Sequence, residues 1–131
     1  MSQLEIKSRS RTQLLDVTER IQRAVSNSGV REGICYLFVP HTTAGLLINE
    51  NYDPTVVEDI MALLERLSPR DGRYRHTEGN ADAHLKVSLL SNSAFIPVQA
   101  GKLALGTWQG IFLCEFDGPR QRRLVVGVIG E

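Results

Sequence analysis

The order of its hydrophobic periodicities constrains this chain most. Residues 3–9 alternate, with Leu4 and Ile6 on one side and Glu5 and Lys7 on the other, the pattern of an edge strand. Val17, Ile21, Ala24 and Val25 then follow helical spacing, opened by Asp16-Val17-Thr18-Glu19 as a carboxylate capping box and stopped by Gly29. The run Gly33-Ile34-Cys35-Tyr36-Leu37-Phe38-Val39 is apolar on both faces, so a strand covered on both sides is expected, ended by Pro40. Leu46-Leu47-Ile48 resumes a short strand. Asp53 and Pro54 cap and open a second helix, whose apolar face is Val57, Ile60, Met61, Leu64 and Leu67.

After a polar loop over 68–81, Asp82 can cap a third helix running to about residue 91. Leu85 and Leu89 share one of its faces, and His84 and Ser88 another. The remainder reads as strands. Phe95-Ile96-Pro97-Val98 is an edge or bulged strand, because its proline cannot donate to a ladder. Residues 111–117 and 122–129 are two more, with Gly118-Pro119-Arg120-Gln121 between them as a hairpin turn. Strands grouped in this way favour α+β over a parallel doubly wound sheet. The expectation is one domain over residues 1–131, with a mostly antiparallel sheet or sandwich core and about three helices.

Composition narrows the class. Hydrophobic residues are 42% and charged residues 23%, which fits a globular chain rather than a disordered one. Lys+Arg and Asp+Glu are both 15, which argues against broad electrostatic binding to nucleic acid or an anionic membrane. No apolar run can span a bilayer, and the first residues lack the pattern of a signal peptide. Cys35 and Cys114 both lie in apolar runs, as reduced core thiols of a cytoplasmic protein would.

The chemistry concentrates in His76-Thr77-Glu78-Gly79-Asn80-Ala81-Asp82-Ala83-His84, which holds two of the three histidines. The third opens His41-Thr42-Thr43-Ala44-Gly45. Three imidazoles in polar loops can bind a divalent metal, Zn²⁺ by ligand type, and leave a position open; the alternative is three separate hydrogen-bonding histidines. Their spacing matches no standard zinc motif. Glu78 and Asp82 can orient the histidines or bind Mg²⁺ through water. The bland alternatives are a solvated carboxylate for Glu78 and a helix cap for Asp82. Asn80 either binds or supplies a left-handed turn.

Asn49, Glu50 and Asn51 suit either a pocket at a strand end or the turn before Asp53. Arg70, Arg73, Arg75, Lys102 and Arg120 are candidates for gripping a phosphate, with a solvated basic loop as the alternative for the arginines before His76. In Gly106-Thr107-Trp108-Gln109-Gly110, Trp108 and Gln109 form a flat-ligand platform or a packed corner, with packing in the core or at a subunit interface favoured for the only tryptophan. Cys114 alternates with Phe112 and Phe116, a packed side chain rather than an activated thiol.

Taken together, His41-Thr42-Thr43-Ala44-Gly45, Asn49-Glu50-Asn51 with Asp53-Pro54, Glu78-Gly79-Asn80 with Asp82 and His84-Leu85-Lys86, and Gly106-Thr107-Trp108-Gln109-Gly110 resemble the YjbQ-like family, whose members are described as secondary thiamine-phosphate synthases. The resemblance covers nearly the whole chain. It implies a compact α+β domain, a homotrimer, and a clustering of His41, His76 and His84 near a subunit boundary with a metal or anion. The implied reaction joins a hydroxymethylpyrimidine diphosphate to a thiazole phosphate and releases pyrophosphate. His41, His76, His84 and Glu78 are then the expected catalytic group. Asn49, Glu50, Asn80, Asp82, Arg73, Arg75, Trp108 and Gln109 are the expected substrate contacts, and a divalent metal is the expected cofactor. A metal-dependent hydrolase and a non-catalytic metal- or ligand-binding trimer are the competing readings.

Overall fold

The computed structural model describes residues 1–131. The order is β1 (Ser2–Lys7), β2 (Gln13–Asp16), α1 (Thr18–Ser28), β3 (Gly33–Phe38), β4 (Ala44–Glu50), α2 (Pro54–Leu67), α3 (Ala81–Ser88), β5 (Ser93–Gln99), β6 (Lys102–Leu103), β7 (Gln109–Glu115) and β8 (Gln121–Gly130). The strands form a five-stranded sheet, β1-β8-β3-β5-β6, and a three-stranded sheet, β2-β7-β4. Every ladder is antiparallel. This is the α+β class expected from the grouped strands.

Local chemistry explains most of the boundaries. The Asp53 side chain accepts from the Thr55 N–H with Pro54 in the first turn, and Gly29 closes α1 at a φ of 75°. Asp16 acts one step further out than expected. Val17 is the cap residue of α1, while the Asp16 carboxylate accepts from the Thr18 N–H and hydroxyl. Asp16 also ends β2, a four-residue strand too short to show a period.

Side-chain alternation builds a layered core. From β7, Ile111 and Leu113 join Ile21 and Val25 of α1 and Cys35, Leu37 and Val126 of the five-stranded sheet. Phe112 and Cys114 point the other way, onto Leu64 of α2 and Ala83 and Val87 of α3. The strand covered on both faces is therefore β7 rather than β3. In β3, Cys35 and Leu37 face the core, but Ile34 and Phe38 are 44% and 47% exposed. No helix covers that outer face, since α1 packs between the sheets and α2 and α3 cover the smaller one.

The expected hairpin at Gly118-Pro119-Arg120-Gln121 is not one. It carries a cis Gly118–Pro119 bond and passes the chain from the three-stranded sheet to the five-stranded one, so β7 and β8 never pair. The connection from β1 to β2 makes the reverse passage beside it. The two are tied by Ser8 N–H to Arg120 C=O (2.9 Å) and Gly118 N–H to Arg11 C=O (3.0 Å). A two-residue hairpin would have had to satisfy these groups within one sheet, whereas here the second crossover does so. This pair of crossovers, the His41 loop and the start of α3 meet at one end of the molecule.

Candidate active site

At that end lies a pocket of about 690 Å³, lined by polar groups with only two hydrophobic residues among them. His41, Thr42 and Thr43 come from the loop before β4. Glu78, Asn80 and His84 come from the entry to α3, Asp117 and Arg120 from the sheet-to-sheet crossover, and Arg122 from β8.

His41 is held at both ends. Its Nε2 accepts from the Arg123 N–H at 2.9 Å, and its carbonyl accepts from Asn92 Nδ2 at 3.0 Å. The same Asn92 amide reaches the carbonyls of Val39 and Ala44, so one side chain fixes the loop. Partial burial, then the charges of Arg122 and Arg123, lower the His41 pKa below its ordinary 6.5, against the opposing pull of Glu115. The ring is neutral at pH 7. With Nε2 accepting, its proton sits on Nδ1.

Beneath the pocket is a buried ion pair. Arg122 donates to both carboxylate oxygens of Glu115 and to Thr43 Oγ1 (2.8 Å), and Ser8 Oγ donates to Glu115 Oε1 (2.7 Å). Burial raises the Glu115 pKa, but the hydrogen bonds from Arg122 and Ser8 outweigh it and the carboxyl lies below its usual range. Arg122 is thus committed to Glu115. Arg120, with 54% of its side chain exposed and a 3.1 Å contact to Asp117, is the cation at the mouth.

The loop before α3 is ordered by a second network. Gly79 takes the positive φ (83°), so of the two readings of Asn80 the left-handed turn falls away and its side chain is free for bonding. Asn80 Nδ2 donates to Asp117 Oδ2 (2.8 Å), and its Oδ1 lies 2.9 Å from His76 Nε2. Arg11 donates to the Gly79 carbonyl (3.1 Å) and to Asp82 Oδ1 (3.0 Å). Asp82 is not the cap of α3. The helix begins at Ala81, and Asp82 lies within its first turn, 1% exposed, bonded to Lys86 Nζ at 3.1 Å. Burial raises its pKa, but Lys86 and Arg11 bring it below 3.8. A carboxylate enclosed by two cations supports the loop and is not available to a ligand.

His76 stands outside the pocket. Its ring meets the His84 ring edge-on at 5.1 Å, and its Nε2 lies 3.7 Å from Glu78 Oε2. No group of three or more His, Cys, Asp or Glu side chains is placed to hold a metal ion. With His41 Nε2 engaged by a backbone N–H, the donors of the single chain do not fit a three-histidine Zn²⁺ centre.

The remaining expected contacts lie elsewhere. In the β4–β7 ladder Ala44 pairs with Glu115 and Glu50 with Gln109, so the two ends are about 20 Å apart at ~3.4 Å per residue. Asn49, Glu50, Trp108 and Gln109 occupy the far end and do not reach the His41 pocket. There they make turn contacts: Asn49 Oδ1 accepts from the Glu50 N–H, Glu50 Oε2 from the Asp53 N–H, and Gln109 Oε1 from the Gly106 N–H. The Asn51 side chain lies over Gly110 where any Cβ would collide, which explains the second glycine of that motif. Trp108 is 57% exposed against Tyr52 at a ring separation of 5.4 Å, so it is not a core anchor. Arg73 is exposed and Arg75 sits beside His76, neither of them lining the pocket. Asn92, Asp117 and Arg122 were not singled out by sequence. Asn92 sits between two serines in an unremarkable turn, and the other two acquire meaning only from the crossover.

The profile described as "UPF0047 protein YjbQ-like" matches residues 2–131. The chain belongs to the YjbQ-like UPF0047 family. It is 50% identical over 127 residues to a UPF0047 protein of Methanocaldococcus jannaschii, covering 97% of this chain and 92% of that protein. It is 41% identical to the UPF0047 protein YugU of Bacillus subtilis, covering 97% of each. Among solved structures, a YjbQ/UPF0047 protein of Clostridium acetobutylicum superposes with a TM-score of 0.96 at 46% identity, covering 98% of this chain and all of that one. A protein of Sulfolobus solfataricus described as YbjQ-like and of unknown function superposes at 0.95 with 35% identity, covering 99% of this chain and 96% of that one. The UPF0047 fold is therefore shared along the full length.

Proposed function

We propose that the His41–His84 pocket binds small phosphorylated molecules and carries out a transfer with diphosphate as leaving group. The reaction we assign is the joining of a hydroxymethylpyrimidine diphosphate to a thiazole phosphate, as the family resemblance implies. The observation that carries this reading is the pocket itself: His41, His84, Thr42 and Arg120 line one polar cavity large enough for a small substrate.

The chemistry asks little of a base. The lone pair of the thiazole nitrogen forms the new N–C bond, and the electron pair of the breaking C–O bond leaves with the diphosphate. No proton has to leave the attacking nitrogen. Catalysis is then positioning plus stabilisation of the departing charge. Arg120 supplies charge, the Thr42 hydroxyl and the His41 Nδ1–H supply donors, and His84 lines the same cavity. A divalent ion of the Mg²⁺ type, carried by the diphosphate, would meet the exposed carboxylate of Glu78 and neutralise part of the leaving group.

The homotrimer belongs to the same proposal. Its support is the uncovered face of the five-stranded sheet, where Ile34, Phe38, Phe95 and Ile129 are exposed. No helix is long and apolar enough to cross a membrane. The free, buried Cys35 and Cys114 support a cytoplasmic setting.

The test incubates the native oligomer with both phosphorylated substrates and Mg²⁺ and follows thiamine phosphate and pyrophosphate by chromatography. Product from the wild type, reduced at least tenfold in Arg120→Ala and His84→Ala, supports the assignment. Pyrophosphate or phosphate without coupled product would replace it with a hydrolase. No turnover and no phosphate binding would remove the catalytic reading.

A further inference from the structure

Beside the polar pocket is a second cavity of about 350 Å³, lined by Tyr74, Arg75, His76, Ala81, His84 and Leu85. We infer that it is the subsite for the flat aromatic ring of the phosphorylated substrate. This rests on the reading of the neighbouring pocket as the phosphate site.

Three observations carry it. First, the two cavities share His84, so a ligand anchored in one extends past that ring into the other. Second, the walls are planar and held in place. The Tyr74 hydroxyl donates to the Pro69 carbonyl and is 3.3 Å from Ser68 Oγ. His76 is set by Asn80 and meets His84 edge-on. Third, Leu85 is 47% exposed in a helix that otherwise buries Ala83 and Val87, and it lies at the border of this cavity. An exposed leucine among three rings, two of them anchored by hydrogen bonds, gives up water readily to a flat apolar body. The contrast with the first cavity is chemical: hydrogen-bonding and charged groups line the one, whereas ring and aliphatic surface dominates the other, with Arg75 its single cation. A ligand that suits both has an anionic end and an aromatic end. Trp108, the ring platform expected from sequence, is at the far end of β4 and β7 and cannot serve.

The test compares three probes by calorimetry on the native protein: inorganic pyrophosphate, glycerol phosphate, and the monophosphate ester of a hydroxymethylpyrimidine. The expected result is that the pyrimidine ester binds at least tenfold tighter than glycerol phosphate. Leu85→Ser should shrink that ratio at least threefold while leaving pyrophosphate and glycerol phosphate unchanged. Leu85 is half-exposed, so the variant should fold, and circular dichroism checks this. Equal binding of the two esters by the wild type would overturn the ring subsite and leave the phosphate site standing. A uniform loss of all three probes in Leu85→Ser would overturn it as well. Failure of every probe to bind the wild type would remove the phosphate site and this inference with it.

Discussion

His41 Nε2 accepts the backbone N–H of Arg123 at 2.9 Å, and Arg123 follows the very arginine that is locked to Glu115 beneath the pocket. The imidazole is thereby tied to β8, the strand that follows the crossover between the sheets. A protonated ring could not accept that bond, and partial burial with two neighbouring arginines already disfavours the proton.

His41 should therefore titrate below 6.5 in the folded protein. A group whose folded pKa is depressed favours its deprotonated form on folding. Its contribution to stability is full above the unfolded value of 6.5 and is lost as pH falls through the lower folded value. NMR titration of the His41 ring checks the direction, and urea unfolding at several pH values should show a pH dependence that His41→Gln weakens. A folded pKa at or above 6.5 would contradict the geometry.

Asp82 offers a choice between two magnitudes. As a helix cap, its loss would cost about 1 kcal/mol. As one member of a buried network with Lys86, beside Arg11, its loss leaves the buried Lys86 with Glu65 alone at 2.7 Å, and Asp82→Ala should cost about 3 kcal/mol, the lower end of the range for breaking a buried pair. Denaturant unfolding separates the two. The carboxyl lies below 3.8 in the fold, so this stability is present above that value and fades as acid protonates it.

The apolar outer face of the large sheet predicts association. Phe95 is 75% exposed and Ile129 61% exposed, on strands either side of β3. Phe95→Lys with Ile129→Lys should lower the molar mass seen by light scattering from that of the proposed trimer to that of a monomer, with the circular dichroism spectrum retained. An unchanged mass would place the interface elsewhere.

Much of this protein was legible residue by residue. Asp53-Pro54 opens α2 and Gly29 closes α1 because caps and left-handed stops are local effects, decided within a few residues. The grouping of strands gave the α+β class for the same reason. His41 and His84 were recognisable because one follows a strand in a polar loop and the other opens a helix after a polar loop, where an imidazole has little to pack against, and the fold does bring them to one pocket.

What the tertiary structure alone decided is which elements meet. Gly118-Pro119 has the local signature of a hairpin, yet β7 and β8 belong to different sheets because a neighbouring crossover satisfies the backbone groups of that turn. Asp82 resembles a cap until Lys86 and Arg11, four residues and 71 residues away, enclose it. Glu50 and Trp108 look like site residues until the antiparallel register sends them to the opposite end from His41. Caps, turns and periodicity are set by contacts between near neighbours in the chain. The pocket depends on ladder register and buried charge pairing between distant segments, which exist only once the sheets have packed.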